Sequence, residues 1–177
     1  RMTHSDIYYY GERAINMDRQ EQIEILLDHY ENPRHRHPID PNDVAMPGGN
    51  PGCGDVITIY LNVGEEGTTI SDVSFEGEGC TISQAGASIL LEMIHDEGWT
   101  IEDVVNLDYH VMMDILGTDI VKTRPKCATL ALGTLKAAIK KYHRDRMKEE
   151  AGLLDDLDKV NEEYGIVTGD EASRSEG

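Results

Sequence analysis

The spacing of apolar residues along the chain predicts a helix, then paired strands, then several further helices. Asp18 and Glu21 match a capping box, so the first helix is expected to begin at Asp18. Its end is expected at Asn32, because a residue that precedes a proline avoids helical geometry. One apolar face is expected from residues at helical spacing: Ile23, Leu26, Leu27 and Tyr30.

A proline-rich segment and two alternating stretches follow the first helix. Residues 33–52 hold five of the six prolines, which predicts a long ordered loop with a short strand near residues 44–46. Apolar and polar residues alternate over 56–63, and residues 69–75 return after a glycine-bounded turn at 64–67. This pattern predicts an antiparallel hairpin.

Helical spacing dominates after Cys80. The first of these helices is expected to end at Gly98, and Thr100 with Asp103 caps a short one. Another is expected near residues 109–116, and a last long helix begins near Pro125. Strands followed by helices predict the α+β class, with a small antiparallel sheet of about three strands packed against several helices.

The composition suggests one domain with two extensions. We expect an N-terminal extension over residues 1–17, partly flexible, and a domain over residues 18–150. Residues 149–177 carry ten acidic and two basic side chains, a net charge of −8. Residues 151–177 are therefore interpreted as an acidic C-terminal extension, disordered at 169–177.

The charge and the hydropathy exclude several classes of function. A formal net charge of −18 in 177 residues opposes binding to nucleic acid. No apolar run approaches the length of about 20 residues that crosses a bilayer, so no membrane role is expected. No basic region followed by an apolar stretch is recognisable near residue 1, so secretion is not expected either. Reduced thiols then favour a cytoplasmic location.

Three cysteines carry the candidate chemistry. Cys53 ends the glycine–proline loop, Cys80 leads into a helix, and Cys127 lies in the first turn of another. Helix N-termini favour thiolates, which zinc and iron–sulfur clusters prefer as ligands. In an extended segment Asp55 would face the same side as Cys53, which makes its carboxylate a candidate fourth ligand.

This ligand set leaves a structural and a functional interpretation open on equal terms. A structural zinc usually has closed Cys/His ligation, whereas a carboxylate beside three thiolates suggests a site that releases what it holds. A cysteine hydrolase has little support, because no Cys–His–Asp/Asn arrangement is recognisable in the sequence.

Four segments resemble the U-type iron–sulfur scaffolds, the family of IscU, SufU and the N-terminal part of NifU. The resemblance covers roughly residues 20–145, with the motifs in the family's order. The segments are Asp28-His29-Tyr30-Glu31-Asn32-Pro33-Arg34, Asn50-Pro51-Gly52-Cys53-Gly54-Asp55, Gly77-Glu78-Gly79-Cys80-Thr81-Ile82-Ser83 and Arg124-Pro125-Lys126-Cys127-Ala128-Thr129-Leu130.

The resemblance implies that Cys53, Asp55, Cys80 and Cys127 form an assembly site. Sulfur would arrive as a persulfide from a cysteine desulfurase, and iron would join it to build a [2Fe–2S] cluster that passes to apo iron–sulfur proteins. The protein would then be a scaffold rather than an enzyme. A homodimer, linked through the cluster, is one arrangement open to it.

The chain combines features of two branches of that family. Lys126 stands before the third cysteine as in SufU, where IscU has histidine, and Lys126 is a candidate for poising Cys127. The Leu-Pro-Pro-Val-Lys segment of IscU is replaced by residues 119–123, yet the short spacing between Cys80 and Cys127 is closer to IscU. The resemblance therefore also allows a zinc-dependent SufU-type sulfurtransferase, with Zn²⁺ held by the same four residues.

Overall fold

A computed structural model describes residues 16–52 and 54–163 of the chain. The chain divides into two compact units, Arg1–Lys140 and Lys141–Gly177. Within the described residues, no helix is both long and apolar enough to cross a membrane. The expected extensions at residues 1–17 and 151–177 and the domain at 18–150 stay predictions, and residues 1–15 and 164–177 lie outside the described part.

The sheet of the first unit has three antiparallel strands in the order β1–β2–β3. The strands are β1 (Val44–Asn50), β2 (Asp55–Val63) and β3 (Ile70–Glu78). Ile57, Ile59 and Leu61 alternate along β2 and are buried, as the sequence predicted. The strand expected near residues 44–46 is longer than predicted, because β1 continues through Pro47 and two glycines to Asn50.

Strand β1 continues where a loop was expected because its residues pair with β2 as far as Asn50, and Gly48 lets it lie close to the last helix. A Cβ at this position would overlap the hydroxyl of Thr134 on the last helix, so only glycine lets the Thr134 side chain lie this close to the strand.

The described part of the chain contains seven helices. They are α1 (Arg19–Glu31), α2 (Thr81–Glu97), α3 (Ile101–Asn106), α4 (Tyr109–Leu116), α5 (Thr118–Val121), α6 (Pro125–Ala128) and α7 (Leu130–Glu163). Helix α2 is the central one, since it contacts α1, β3 and α6. The largest fully buried side chains include Phe75 of β3, Leu90 of α2 and Leu132 of α7. The architecture is α+β, as predicted.

Several predicted helix ends are confirmed by their local hydrogen bonds. Asp18 caps α1 in a reciprocal capping box with Glu21, and Thr100 caps α3 in the same way with Asp103. Gly98 ends α2 with a φ of 62°, a left-handed conformation that glycine adopts without steric cost.

The apolar face predicted for α1 is wrong in part. Leu26 is buried, but Leu27 and Tyr30 are 45% and 44% exposed, whereas His29 is only 6% exposed. The reason is polar: His29 Nδ1 lies 2.7 Å from the Ser88 hydroxyl, and its Nε2 lies 3.3 Å from a carboxylate oxygen of Glu92. Helix α1 is thus fastened to α2 through an imidazole that satisfies its hydrogen bonds there.

The segment after α1 contacts the same two residues of α2, Ser88 and Glu92, through Arg34. The backbone N–H of Arg34 donates to the Ser88 hydroxyl at 2.8 Å, and the Arg34 guanidinium lies 2.6 Å from Asp28 and 3.6 Å from Glu92. The Ser88 hydroxyl therefore contacts both His29 Nδ1 of α1 and the Arg34 backbone N–H.

The long C-terminal helix does not begin at Pro125 as predicted. Pro125 starts the four-residue helix α6, and α7 begins only at Leu130. The Pro125 carbonyl accepts from both the Thr129 N–H at 3.1 Å and the Thr129 hydroxyl at 2.8 Å. Thr129 has φ −104° and ψ 1°, so the two helices are separated by one non-helical residue.

The second unit contains the last part of α7. Lys141 and Asp145 form an i,i+4 ion pair at 2.6 Å. Arg146 donates to the Tyr142 hydroxyl at 3.2 Å, one helical turn away. Such pairs on one helix face stabilise a solvated helix by a few tenths of a kcal/mol each.

Candidate metal centre

The β1–β2 hairpin places Asp55 at the first position of β2. Asn50 and Asp55 are directly paired across the two strands, and the Asn50 carbonyl accepts a hydrogen bond from the Gly54 N–H at 3.1 Å. Pro51, Gly52 and Gly54 lie in the turn, and Gly54 has a φ of 70°. The extended geometry by which Asp55 was expected to face the same side as Cys53 is therefore wrong at Gly54.

Cys53 lies outside the described residues, so the predicted liganding role of its thiol stays a prediction. The described neighbours on both sides belong to the hairpin turn next to Asp55.

Cys80 is the N-cap residue of α2. Its backbone N–H donates to Asp55 Oδ1 at 2.7 Å, and its thiol lies 3.7 Å from Asp55 Oδ2. The Asp55 carboxylate therefore lies at the N-terminus of a 17-residue helix, where the helix dipole favours negative charge. The positive N-terminal end of α2, which was predicted to favour a thiolate at Cys80, therefore also stabilises the charge on the Asp55 carboxylate.

Cys127 reaches the same place from the helix α6. Its side chain is 1% exposed, and the Asn50 side-chain amide donates to its sulfur at 3.7 Å. The thiol of Cys127 is also hydrogen-bonded to the Asp55 carboxylate. Asp55 is thus the common partner of two thiols and one backbone N–H.

These contacts bring three predicted ligands together. One ligand atom each from Asp55, Cys80 and Cys127 lies within 4.8 Å of the other two. Thiolate sulfurs bind zinc at about 2.3 Å and carboxylate oxygens at about 2.0–2.2 Å, so small side-chain movements suffice to place a metal ion between them. Two sulfurs and one oxygen fit the soft metals that thiolates select.

Hydrogen bonds keep the Asp55 carboxylate ionised although it is buried. Burial of this side chain, which is 1% exposed, acts to raise its pKa. Hydrogen bonds from the Cys127 thiol, the Cys80 backbone N–H, the Cys80 thiol and Ser83 outweigh burial, and the pKa is lowered from its ordinary value. A charged oxygen is therefore available to a cation.

Gly79 gives Asp55 the space that it occupies. A Cβ at residue 79 would overlap Asp55 Oδ1 and lie 2.9 Å from the Ser83 hydroxyl. The glycine before Cys80 is thus required by the close approach of the carboxylate to the start of α2.

Lys126 lies beside Cys127 on α6, and its side chain is exposed. Its predicted role in poising Cys127 stays a prediction.

The sequence alone did not identify two polar residues next to the ligands. Asn50 opens the Asn-Pro-Gly-Cys-Gly-Asp motif and contacts the Cys127 sulfur. Ser83 is three residues after the cap residue Cys80 and lies 3.8 Å from its sulfur. Their proximity to the cysteine motifs was a usable signal for both residues.

Comparison with known proteins gives a consistent result. The model of the family described as NifU-like N terminal domain matches residues 21–149. The chain is 34% identical over 139 residues to the iron–sulfur cluster assembly scaffold protein IscU 1 of Archaeoglobus fulgidus. This match covers 76% of this chain and 88% of that protein. It is 30% identical over 135 residues to the zinc-dependent sulfurtransferase SufU of Bacillus subtilis, with 67% of this chain and 88% of that protein covered.

A solved structure shows the same fold. It is the N-terminal part of a nitrogen-fixing NifU-like protein from Brucella abortus, with a TM-score of 0.59 and 16% identity, covering 71% of this chain and 97% of that one. The residues matched by the family model include Asp55, Cys80 and Cys127. This chain belongs to the NifU-like N-terminal domain family, the U-type scaffolds.

Proposed function

We propose that this protein is an iron–sulfur cluster assembly scaffold. It accepts sulfur from a cysteine desulfurase, assembles a [2Fe–2S] cluster on Cys53, Asp55, Cys80 and Cys127, and transfers the cluster to apo-proteins. The observation that carries this proposal is the convergence of Asp55, Cys80 and Cys127 within 4.8 Å in a chain of this family.

The chemistry asked of these residues is sulfur transfer followed by ligation. A thiolate of this chain attacks the terminal sulfur of the incoming persulfide, the S–S bond breaks, and the desulfurase cysteine leaves as a thiolate. Reduction of that sulfur to sulfide takes two electrons from an external reductant. Iron and sulfide are the substrates here, and the protein contributes ligands that hold them side by side.

The Asp55 carboxylate supports release as well as assembly. In the structure it accepts hydrogen bonds from the Cys80 backbone N–H and from the thiols of Cys80 and Cys127. When a metal leaves, the carboxylate can form these hydrogen bonds again, so its charge is stabilised in the empty site as well. A fourth thiolate has no comparable alternative, and it binds soft metals more strongly.

A second candidate function is a zinc-dependent sulfurtransferase. The similarity to SufU of Bacillus subtilis favours it, and so does the donor set, since zinc accepts both thiolate and carboxylate ligands. In this function Zn²⁺ occupies the same residues, and one cysteine accepts the persulfide sulfur without cluster assembly. A scaffold needs no catalytic turnover, whereas this second function makes the protein an enzyme.

Oxygen-free purification and reconstitution separate the two functions. Iron, zinc and acid-labile sulfide are measured per chain, before and after addition of cysteine, a cysteine desulfurase, ferrous iron and a thiol reductant. The scaffold predicts a visible [2Fe–2S] spectrum that Cys80→Ser and Cys127→Ser abolish. Stoichiometric zinc that stimulates the desulfurase, with no cluster under any of these conditions, would instead establish the sulfurtransferase.

Lys126→Ala is the matched variant, because it changes the residue next to Cys127 and retains all four proposed ligands. Unchanged sulfur transfer in this variant removes Lys126 from the mechanism. A loss equal to that of Cys127→Ser assigns it a role in poising the thiol.

The proposal extends to partners and location. A cysteine desulfurase and apo iron–sulfur proteins are the partners that it requires, and a homodimer linked through the cluster is the assembly to test by mass measurement of the loaded protein. The cytoplasmic location stays a prediction.

A further inference from the structure

Asn50 lies between two of the proposed ligands, Asp55 on β2 and Cys127 on α6. It ends β1 directly opposite Asp55 of β2, so the two side chains are on the same face of the hairpin. Its side chain is 8% exposed, which is unusual for an asparagine unless its amide is used.

Two hydrogen bonds connect Asn50 to the segments that carry the proposed ligands Asp55 and Cys127. The backbone carbonyl accepts from Gly54 N–H at 3.1 Å and closes the turn between β1 and β2. The side-chain amide donates to the sulfur of Cys127 on α6 at 3.7 Å. Cys127 is hydrogen-bonded to Asp55 in turn, so the direction of donation runs from Asn50 through Cys127 to the carboxylate.

We propose that Asn50 is a positioning residue whose N–H···S hydrogen bond orients the Cys127 sulfur and tunes its strength as a ligand. The inference rests on the proposed function, since it takes Cys127 to be a ligand of the metal or cluster. Asn50 itself contributes no ligand atom. Its action is on a sulfur that another element supplies.

Two consequences follow from the chemistry of such a bond. A hydrogen bond to a thiolate withdraws electron density from the sulfur, which raises the energy of sulfur-to-metal charge transfer and raises the reduction potential of a bound cluster. Groups that orient a metal ligand in this way typically change metal affinity by about 10- to 100-fold.

The test uses Co²⁺ in place of Zn²⁺, because sulfur-to-cobalt charge-transfer bands report the ligand sulfurs directly. In Asn50→Ala we expect these bands to move to lower energy and the affinity for Co²⁺ to fall about 10- to 100-fold. Asn62→Ala is the matched control. Asn62 lies at the far end of the same hairpin, where its side chain bonds Pro41 and Asp43. This variant should move neither the bands nor the affinity.

The cobalt spectra distinguish failure of the Asn50 role from failure of the metal site itself. Charge-transfer bands in the wild-type protein that are unchanged in Asn50→Ala, at unchanged affinity, overturn the inference and leave the metal site intact. Absence of these bands in the wild-type protein removes the site and the inference together.

A measurement on the wild-type protein covers the case in which Asn50→Ala does not fold. In protein loaded with ¹¹³Cd, the N–H···S–Cd path should give a scalar coupling between the metal and a side-chain amide proton of Asn50. A ¹¹³Cd spectrum that shows thiolate ligation, with no such coupling at Asn50, overturns the inference.

Discussion

The buried imidazole of His29 makes a quantitative prediction about pH. His29 is enclosed between α1 and α2, with Ser88 on one ring nitrogen and Glu92 near the other. Burial first, and then the nearby Arg34 guanidinium, lower the pKa of His29 from 6.5 to about 4. The nearby Asp28 carboxylate raises this pKa, but burial and Arg34 outweigh it. Folded protein therefore keeps this ring neutral at a pH where the unfolded chain has protonated it.

The sign and the size of the effect follow from proton linkage. Between pH 6.5 and 4 the unfolded chain binds more protons than the folded one, so the free energy of unfolding falls as the pH falls. With the pKa values of 6.5 and about 4, His29 removes about 2 kcal/mol between pH 7.5 and pH 5. This is a sizeable share of the stability of about 5–15 kcal/mol that is typical of a domain.

Urea unfolding of metal-free protein at pH 7.5 and pH 5.0 measures this term. In His29→Gln the loss between the two pH values should be smaller than in the wild type by about 2 kcal/mol. His110→Gln is the matched control, because His110 is exposed at the start of α4, and it should keep the wild-type loss. Equal losses in the wild type and His29→Gln would refute the reasoning, since the other titrating groups are common to both.

Three further predictions concern the site and the core. Gly79→Ala should displace the Asp55 carboxylate and weaken Zn²⁺ binding at least tenfold by competition with a chelator, whereas Gly98→Ala, at the other end of α2, costs about 1 kcal/mol of backbone strain and has no such overlap; equal affinities in the two variants would contradict the role of Gly79. Asp55→Ala should lengthen the lifetime of a bound cluster during transfer to an apo-protein, followed by visible absorption, and an unchanged lifetime would show that the carboxylate does not promote release. Leu90→Ala should lower the free energy of unfolding by about 2–5 kcal/mol in a urea titration, because Leu90 is fully buried on the central helix; a loss below 1 kcal/mol would mean that this core position is not closely packed.

Local chemistry explains which parts of the fold the sequence could predict. The capping boxes at Asp18 and Thr100 and the glycine that ends α2 each depend on a few neighbouring residues, and all three are confirmed. The hairpin of β2 and β3 is likewise confirmed, since alternation and a glycine-bounded turn determine it locally.

The wrong predictions concern a buried face and a helix start that the pattern of apolar residues does not reveal. Hydropathy placed Tyr30 on the buried face of α1, but Ser88 and Glu92, far along the chain, bury His29 instead. The single non-helical residue Thr129 lies within an uninterrupted helical pattern of apolar residues, which does not signal it.

For the site, residue type and motif order named the candidate ligands, and the structure brings Asp55, Cys80 and Cys127 together. The geometry that joins them was not predictable. The Cys80 N–H that fixes Asp55 and the Asn50 amide on Cys127 are contacts between residues 25 and 77 positions apart. Sequence identifies which side chains can bind a metal, whereas their hydrogen-bonded arrangement depends on the packing of β1, β2, α2 and α6.

X-ray absorption at the zinc edge, on protein loaded with one Zn²⁺ per chain, tests the central claim most directly. If the proposed ligands converge on one ion, the first shell of the wild type should fit three sulfurs at about 2.3 Å and one oxygen at about 2.0–2.2 Å. In Cys80→Ser and Cys127→Ser the sulfur count should each time fall by one. A shell made only of oxygen or nitrogen, or a sulfur count that ignores both substitutions, would contradict the account.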